Sequence, residues 1–290
     1  VCRGGAMDRL AYATANALLG NGPDAAAIEV AMFPFRLRIE AETQVAITGA
    51  DCAASLDDRP IPPNWVLPAA VGSTLTLQPP RAGARAYVGL SGGIEVPLVL
   101  GSRSTDLKSA FGGLEGRGLQ KGDRLPLGPA DPRPLPPGGQ GAIPDPDMAA
   151  FWALGAGRAA VRVMPAAEWE DFTPEAQAPF TDTDWQVTHE ANRMGYRLDG
   201  PELVMADRRE LLSHGLMPGT VQVPASGQPI VQLADANTCG GYPKIGVVIA
   251  PDLWKIAQVG PGATLRFTLC DADEAQRADA AQQAWLARLG

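Results

Sequence analysis

Gly262-Ala263-Thr264-Leu265-Arg266-Phe267 is a turn glycine followed by a run in which apolar and polar residues alternate. The same pattern occurs at Gly72-Ser73-Thr74-Leu75-Thr76-Leu77 and at Gly122-Asp123-Arg124-Leu125-Pro126-Leu127. Alternation with a period of two predicts a strand with one buried face. Three such strands favour barrel-like β modules over a sheet of alternating strands and helices.

The rest of the chain predicts more strands and only a few helices. Residues 33–39, 161–163, 185–187, 196–198, 229–233 and 245–249 read as strands. Apolar residues at helical spacing predict helices over 5–21, 251–257 and 271–289. We therefore expect a mainly β protein with a few helices, a β-rich member of the α+β class.

Composition excludes several classes of protein. The 290 residues are 46% hydrophobic and carry a formal net charge of −8, which excludes disorder and disfavours nucleic-acid binding. No apolar run approaches the roughly 20 residues of a membrane span. Four scattered cysteines and two histidines suit neither a disulfide framework nor a metal site. We expect a cytoplasmic protein that binds no metal.

A change in composition marks a domain boundary. Residues 128–147 contain seven prolines and four glycines without periodicity. This segment is typical of a linker. We expect an N-terminal β-barrel subdomain over 1–135, the linker over 128–147, and a C-terminal barrel subdomain over 148–290.

Three polar, glycine-dense segments are candidate ligand sites. Ser102, Arg103, Thr105 and Asp106 combine small side chains with a guanidinium, which suits either a carboxylate cradle or a solvated turn. The segment Asn192-Arg193-Met194-Gly195-Tyr196-Arg197 suits a ligand-binding loop or an ordinary hairpin.

The third segment covers residues 220–245 and includes Gln222, Gln228 and Thr238. Within it, Gly240-Gly241-Tyr242-Pro243-Lys244 lets the backbone approach a ligand closely while presenting a phenol and an ammonium. We expect this segment to contribute to a binding site.

Together these motifs resemble the KipA family, also described as allophanate hydrolase subunit 2 and as part of the biotin-dependent carboxyltransferase family. The matching stretches, in chain order, are residues 5–9, 101–106, 111–113, 122–125, 192–198, 218–224 and 238–245. Members carry a strand and a Gln-Asp-x-Gly-Arg segment before the first match, which the sequence starting at Val1 lacks. We therefore expect the first strand of the N-terminal barrel to be missing. Cys239 and Ala191 stand where the family often has Thr and Ser.

The resemblance implies two cyclophilin-like β-barrel subdomains and an enzyme that works only as part of a complex. It implies as partners a KipI-like protein and a LamB/YcsF-like protein, with a small amide as the substrate. No Met-Lys-Met biotinylation motif and no Walker-type loop are present. We therefore expect no covalently bound cofactor, ATP within the complex, and carboxybiotin, where it is used, on a partner protein.

The resemblance and the residue types together assign roles to individual positions. Donors aimed at an oxygen that gains negative charge would lower the barrier of amide or carboxyl-transfer chemistry. We expect Arg193, Tyr242 and Lys244 to be catalytic. The expected substrate-binding residues are Ser102, Arg103, Thr105, Asp106, Asn192, Gln222, Gln228, Thr238, Gly240 and Gly241.

Three functions remain open at this point. The leading hypothesis is a subunit of an ATP-dependent 5-oxoprolinase, which opens 5-oxoproline to glutamate. The second is the carboxyltransferase half of a biotin-dependent urea or amide carboxylase. The third is a non-catalytic regulator that binds a KipI-like kinase inhibitor.

Overall fold

The chain divides into two compact units. The computed structural model describes residues 4–153, 155, 157–207 and 211–290. Asp8–Ala153 with Gln283–Gly290 is called the N-terminal unit, and the described residues of 1–7 and 154–282 are called the barrel unit. The expectation of a missing first strand concerns the chain before residue 4, outside the described residues.

The division between the units falls after the proline-rich segment instead of within it. Gln140–Gly141 is a short strand that pairs with Trp65–Ala69, and Leu135 and Ala142 pack against a buried cluster of the N-terminal unit. Residues 128–147 therefore include a sheet edge and core contacts, because prolines do not prevent a segment from packing its apolar side chains.

The N-terminal unit contains two helices and nine strands. They are α1 (Arg9–Leu19), β1 (Ile28–Val30), β2 (Phe35–Arg38), β3 (Thr43–Asp51), β4 (Ser55–Leu56), β5 (Arg59–Pro60), β6 (Trp65–Ala69), β7 (Thr74–Leu77), β8 (Ala82–Leu90), β9 (Gln140–Gly141) and α2 (Pro146–Ala153). Helix α1 begins where Asp8 accepts the N–H of Ala11 and ends at Gly20, whose φ of 68° suits glycine.

The strands of this unit form two sheets, in the orders β1-β8-β3-β6-β9 and β2-β7-β4-β5. Their apolar faces share one buried cluster that includes Val45, Ile47 and Leu75. A closed ring of hydrogen-bonded strands is therefore found only in the barrel unit among the described residues.

The predicted strand over residues 122–127 is wrong. Leu127 makes only an isolated bridge to Ile94, and the carbonyl oxygen of Pro126 accepts the N–H of Glu95. Pro126 has no N–H to donate, which weakens a ladder at that position. The other two glycine-led patterns became β7 and, in the barrel unit, the strand Thr264–Leu269.

The barrel unit contains nine strands, two whole helices, most of a third helix whose residues 283–287 belong to the N-terminal unit, and two single-turn 3₁₀ helices at Trp169–Asp171 and Ala250–Asp252. The strands and helices are β10 (Arg158–Pro165), α3 (Pro174–Asp182), β11 (Trp185–Val187), β12 (Gly195–Asp199), β13 (His214–Gly215), β14 (Thr220–Gln222), β15 (Ile230–Gln232), β16 (Cys239–Gly240), β17 (Lys244–Val248), α4 (Leu253–Ala257), β18 (Thr264–Leu269) and α5 (Ala272–Ala287).

Seven of these strands close into a barrel in the order β10-β17-β14-β15-β12-β11-β18. Its buried side chains include Trp185, Tyr196 and Phe267, all almost inaccessible to solvent. The small sheet of β13 and β16 stands apart from the ring. The mainly β class is confirmed, and no helix among the described residues has the length and apolarity to cross a membrane.

Candidate functional site

Lys244 and Gln222 meet at one end of the barrel. Lys244 begins β17, Gln222 ends β14, and the two are partners in the ladder between these strands. The register shifts between Val221 and Gln222, which marks an irregularity of the bulge type. Bulges re-aim side chains and are frequent beside functional sites. The barrel thus brings two of the predicted site residues together.

The Lys244 ammonium lies beside two backbone carbonyl oxygens and a ring nitrogen of His214. The residue is only 6% exposed. Its Nζ is 3.3 Å from the carbonyl oxygen of Tyr242, 3.5 Å from that of Gly240, and 3.4 Å from Nδ1 of His214. Neutral acceptors orient an ammonium without cancelling its charge. The positive charge therefore remains available to an anionic group of a ligand.

The pKa of Lys244 is shifted by this environment. Burial lowers the pKa of the ammonium because desolvation disfavours the charged form. The charge of Glu168 acts in the opposite direction and only partly offsets the effect. A buried lysine with a lowered pKa exchanges its proton more readily than an exposed one, which is typical of catalytic positions.

Two residues of this cluster, Glu168 and His214, were missed by the sequence reasoning. Glu168 is buried, and its Oε2 accepts the backbone N–H of Lys244 at 3.1 Å. Its Oε1 lies 3.7 Å from Nε2 of His214, on β13. The only available signal was that His214 is one of two histidines. Among the described residues, no cluster of three or more His, Cys, Asp or Glu suits a metal ion.

Gly240 and Gly241 are required by close packing. A Cβ at Gly240 would lie 2.9 Å from Nε2 of Gln222, and one at Gly241 would lie 2.8 Å from the carbonyl oxygen of Leu211. The glycines therefore let the loop approach Gln222 and the segment before β13. Tyr242 is 53% exposed, so its ring is at the surface while its carbonyl faces Lys244.

Gln228 and Thr238 have contacts that serve the fold. The amide of Gln228 accepts the N–H of Gly200 at 3.0 Å and donates to the carbonyl oxygen of Gly200 at 2.9 Å. The carbonyl oxygen of Thr238 accepts the N–H of Leu216 at 2.9 Å, which extends the β13–β16 pairing. The Gln228 amide is therefore used within the chain.

Arg193 lies at the opposite end of the barrel from Lys244. It precedes β12 at the end where Gly195 pairs with Gln232, whereas Lys244 pairs with Gln222 at the other end. The guanidinium donates to both carboxylate oxygens of Asp235, at 2.7 and 3.0 Å, and to the carbonyl oxygen of Gly5. The structure does not bring Arg193 together with Tyr242 and Lys244.

Asn192 lies beside Arg193 and closes its own turn. Its Oδ1 accepts the N–H of Met194 at 2.8 Å, and its Nδ2 donates to the carbonyl oxygen of Glu190 at 3.1 Å. These contacts match the hairpin interpretation of this loop.

Ser102, Arg103, Thr105 and Asp106 lie close together in the N-terminal unit. Ser102 Oγ accepts the N–H of Ser104 at 3.1 Å. Asp106 Oδ1 accepts the N–H groups of Lys108 and Ser109, both at 3.0 Å. A Cβ at Gly113 would overlap the Thr105 hydroxyl. The segment is a compact turn whose carboxylate caps its own backbone, and the Arg103 side chain is exposed.

Thiol labelling tests how accessible the strand β16 is beside this site. Cys239 is exposed on β16, whereas Cys52 is buried and its pKa is raised to about 12, chiefly by burial and also by Asp51. Only the thiolate reacts, so we expect Cys52 to react about 10³-fold more slowly than a free thiol. A maleimide should label Cys239 in the folded protein, and peptide mass spectrometry would show this.

Cys270, which is buried with a raised pKa, is the matched comparison for the labelling. Labelling of Cys52 or Cys270 before Cys239 would contradict the exposed position of Cys239 on β16. After denaturation in urea, all three should react at similar rates, because the differences in burial then disappear.

Comparisons with known proteins agree with the motifs. Residues 1–269 match the family model described as the carboxyltransferase domain, subdomains A and B. The chain is 41% identical over 285 residues to the C-type subunit of 5-oxoprolinase from Escherichia coli K12, covering 98% of this chain and 88% of the relative. It is 37% identical to the protein of the same name in Haemophilus influenzae, covering 94% of this chain and 84% of the relative.

A solved structure extends the likeness to the whole fold. The urea carboxylase of Kluyveromyces lactis superposes with a TM-score of 0.87 at 27% identity. The match covers all of this chain and 27% of that much longer one. The resemblance inferred from the motifs is confirmed: the chain belongs to the carboxyltransferase domain family, subdomains A and B.

Proposed function

We propose that the chain is the C-type subunit of a 5-oxoprolinase, a complex that opens 5-oxoproline to glutamate with hydrolysis of ATP. The observation that carries the proposal is the match, over nearly the full length of both chains, to two proteins named as this subunit of 5-oxoprolinase. A shared domain alone would support less, because one fold serves several reactions. The proposed partners are a LamB/YcsF-like protein and a KipI-like protein.

The chemistry of ring opening suits the cluster around Lys244. When the cyclic amide is attacked, its carbonyl oxygen gains negative charge, and a fixed cation beside that oxygen lowers the barrier. The buried Lys244 ammonium, held by the carbonyls of Gly240 and Tyr242, is the donor we assign to this oxygen. ATP would supply phosphoryl activation of the amide, and we assign it no residue of this chain.

The other predicted site residues have proposed roles of three kinds. Gln222, Gly240 and Gly241 pack around Lys244, and the Tyr242 side chain lies at the protein surface beside them. We propose Ser102, Arg103, Thr105 and Asp106 as the segment of the N-terminal unit that holds a carboxylate. Asn192, Arg193, Gln228 and Thr238 hold loops and strand ends in place.

The second candidate is the carboxyltransferase half of a biotin-dependent urea or amide carboxylase. The match of the entire chain to a urea carboxylase and the description of the family favour it. Carboxybiotin on a partner would supply the carboxyl group. Lys244 fits this use because its charge would balance the ureido oxygen as the carboxyl group leaves.

Reconstitution with both partner proteins separates these functions. Glutamate formation from 5-oxoproline and ATP is measured beside incorporation of labelled bicarbonate into urea. We expect glutamate only when all three proteins are present and no labelled product from urea. Avidin-sensitive labelling of urea would instead support the carboxylase. Equal glutamate formation without this chain would contradict a catalytic role and support the regulator.

A further inference from the structure

Three titratable side chains from separate parts of the barrel unit converge at Lys244. Glu168 precedes the 3₁₀ turn Trp169–Asp171, His214 lies on β13, and Lys244 begins β17. Glu168 contacts both of the others: one oxygen accepts the Lys244 backbone N–H, and the other lies 3.7 Å from Nε2 of His214. The carboxylate therefore holds the start of β17 by a hydrogen bond and lies beside the imidazole.

Of the side chains of Glu168, His214 and Lys244, that of His214 is the most exposed to solvent. The side chain of His214 is 44% exposed, whereas that of Glu168 is 10% exposed. Lys244 is buried, with its Nζ 3.4 Å from Nδ1 of His214. Lys244 is buried and His214 is partly exposed. A proton can therefore pass between the Lys244 ammonium and water through His214.

The two contacts at Nδ1 of His214 require opposite states of that nitrogen. When Nδ1 is unprotonated, it accepts the Lys244 Nζ–H. When it carries a proton, it donates to the carbonyl oxygen of Leu212, 3.0 Å away. Each state of Nδ1 therefore has a hydrogen-bond partner in the structure.

We propose that His214 relays protons between Lys244 and solvent, and that Glu168 positions the imidazole for this transfer. The proposal rests on the function proposed above, in which Lys244 faces the reacting amide. As water attacks the amide carbon, the electron pair of the C=O π bond moves to the carbonyl oxygen, the Nζ–H bond of Lys244 breaks, and an O–H bond forms on that oxygen. The Nδ1–H bond of protonated His214 then breaks and the Nζ–H bond forms again. Neutral His214 takes up a proton from bulk solvent, into which the attacking water releases one.

The charged groups that face the imidazole come from two parts of the barrel unit. Among the described residues, these groups are Glu168, from the segment before the 3₁₀ turn, and Lys244, from β17. Protonated His214 is attracted to Glu168 and repelled by the ammonium.

His214→Gln and His214→Ala test the relay in the reconstituted three-protein complex. Glutamine can still accept from Lys244 but does not titrate, so it keeps the positioning and removes the transfer. We expect either change to lower kcat about 100-fold with little change in KM, within the range of proton-transfer groups. Free imidazole should restore activity to His214→Ala, because it can replace the missing carrier.

The matched control is His189→Gln, which changes the other histidine, exposed after β11. It should leave kcat and its pH profile unchanged. If His214→Gln were as active as the wild type, or if imidazole failed to restore His214→Ala, the relay would be overturned. Wild-type activity in the control would support the relay, and so would the loss, in His214→Gln, of the part of the decline in kcat at rising pH that follows deprotonation of His214.

A titration of the isolated full chain separates failure of the relay from failure of the proposed function. The Lys244 side chain, assigned by comparison with Lys244→Arg, is followed by NMR as the pH is changed. In the wild type, its signal should shift when His214 titrates, and in His214→Gln that shift should be absent. A Lys244 signal that ignores the protonation of His214 would overturn the relay even if the complex hydrolyses 5-oxoproline.

Discussion

Replacement of Lys244 by alanine is expected to lower the kcat of the reconstituted 5-oxoprolinase about 10²- to 10³-fold, the usual effect of removing one preorganised donor to a developing oxyanion. The ammonium is buried and is held by the carbonyl oxygens of Gly240 and Tyr242. It is therefore fixed before the charge develops. KM should change much less, because the interaction strengthens mainly in the transition state.

Two further variants show whether the charge of Lys244 is what matters. Lys244→Arg keeps a cation, and its guanidinium does not lose its proton in the accessible pH range. Burial lowers the pKa of Lys244. The kcat of the wild type should fall as the pH rises through this pKa, and the kcat of Lys244→Arg should not show this decline. Lys121→Ala, at an exposed lysine, is the control. An active Lys244→Ala complex would exclude the assigned role.

Replacement of Asp252 by asparagine is expected to destabilise the barrel unit by about 3–5 kcal/mol, the effect of removing one partner from a buried ion pair. Asp252 is 0% exposed, and its carboxylate accepts the backbone N–H, Nε and Nη2 of Arg162 at 2.7–2.9 Å. Lys255 Nζ lies 2.9 Å from Oδ1. The amide of asparagine would leave both cations without their shared counter-charge. Urea denaturation measures the change.

The pH dependence of this stabilisation has a defined sign. Burial alone would raise the pKa of Asp252, but the hydrogen bonds from Arg162 and the charge of Lys255 outweigh it, so the net pKa is lowered. The stabilisation is therefore present above the pKa of an unfolded aspartate and is lost as the pH falls through the folded-state pKa. Asp252→Asn should show a weaker dependence on acid pH.

Asp184→Asn is the matched control for Asp252→Asn. Asp184 accepts from Arg266 Nε at 2.7 Å, an equally short contact, but both side chains are more than two-fifths exposed. A surface pair of this kind contributes about 0–1 kcal/mol. Equal losses for the two variants would contradict the view that burial, and not distance, determines the contribution of the carboxylate.

Periodicity located most of the strands because a half-buried strand needs one apolar face. The runs at Thr74–Leu77 and Thr264–Leu269 formed strands as their alternation predicts. The similar run at residues 122–127 did not: Leu127 makes only an isolated bridge to Ile94, and Pro126 has no N–H to add to a ladder. Alternation reports which side chains can be buried, whereas a strand also requires a partner strand along its length.

The site was only partly visible in the sequence. Gly240, Gly241 and Lys244 lie within five consecutive residues, so an unusual local motif identified them. Glu168 and His214 are 76 and 30 residues from Lys244, and neither stands in a recognisable motif with it. Arg193 was grouped with Lys244 on residue type, although strand register puts the two at opposite ends of the barrel.

The sequence by itself determined the mainly β class, the family and the glycine-rich loop around Lys244, because these depend on local periodicity and on contiguous motifs. The tertiary structure decided which strands close into the barrel, where the chain divides, and which titratable groups surround the ammonium. Those properties depend on the pairing of strands far apart in the chain. A shift of such a pairing by one residue would turn each side chain to the other face.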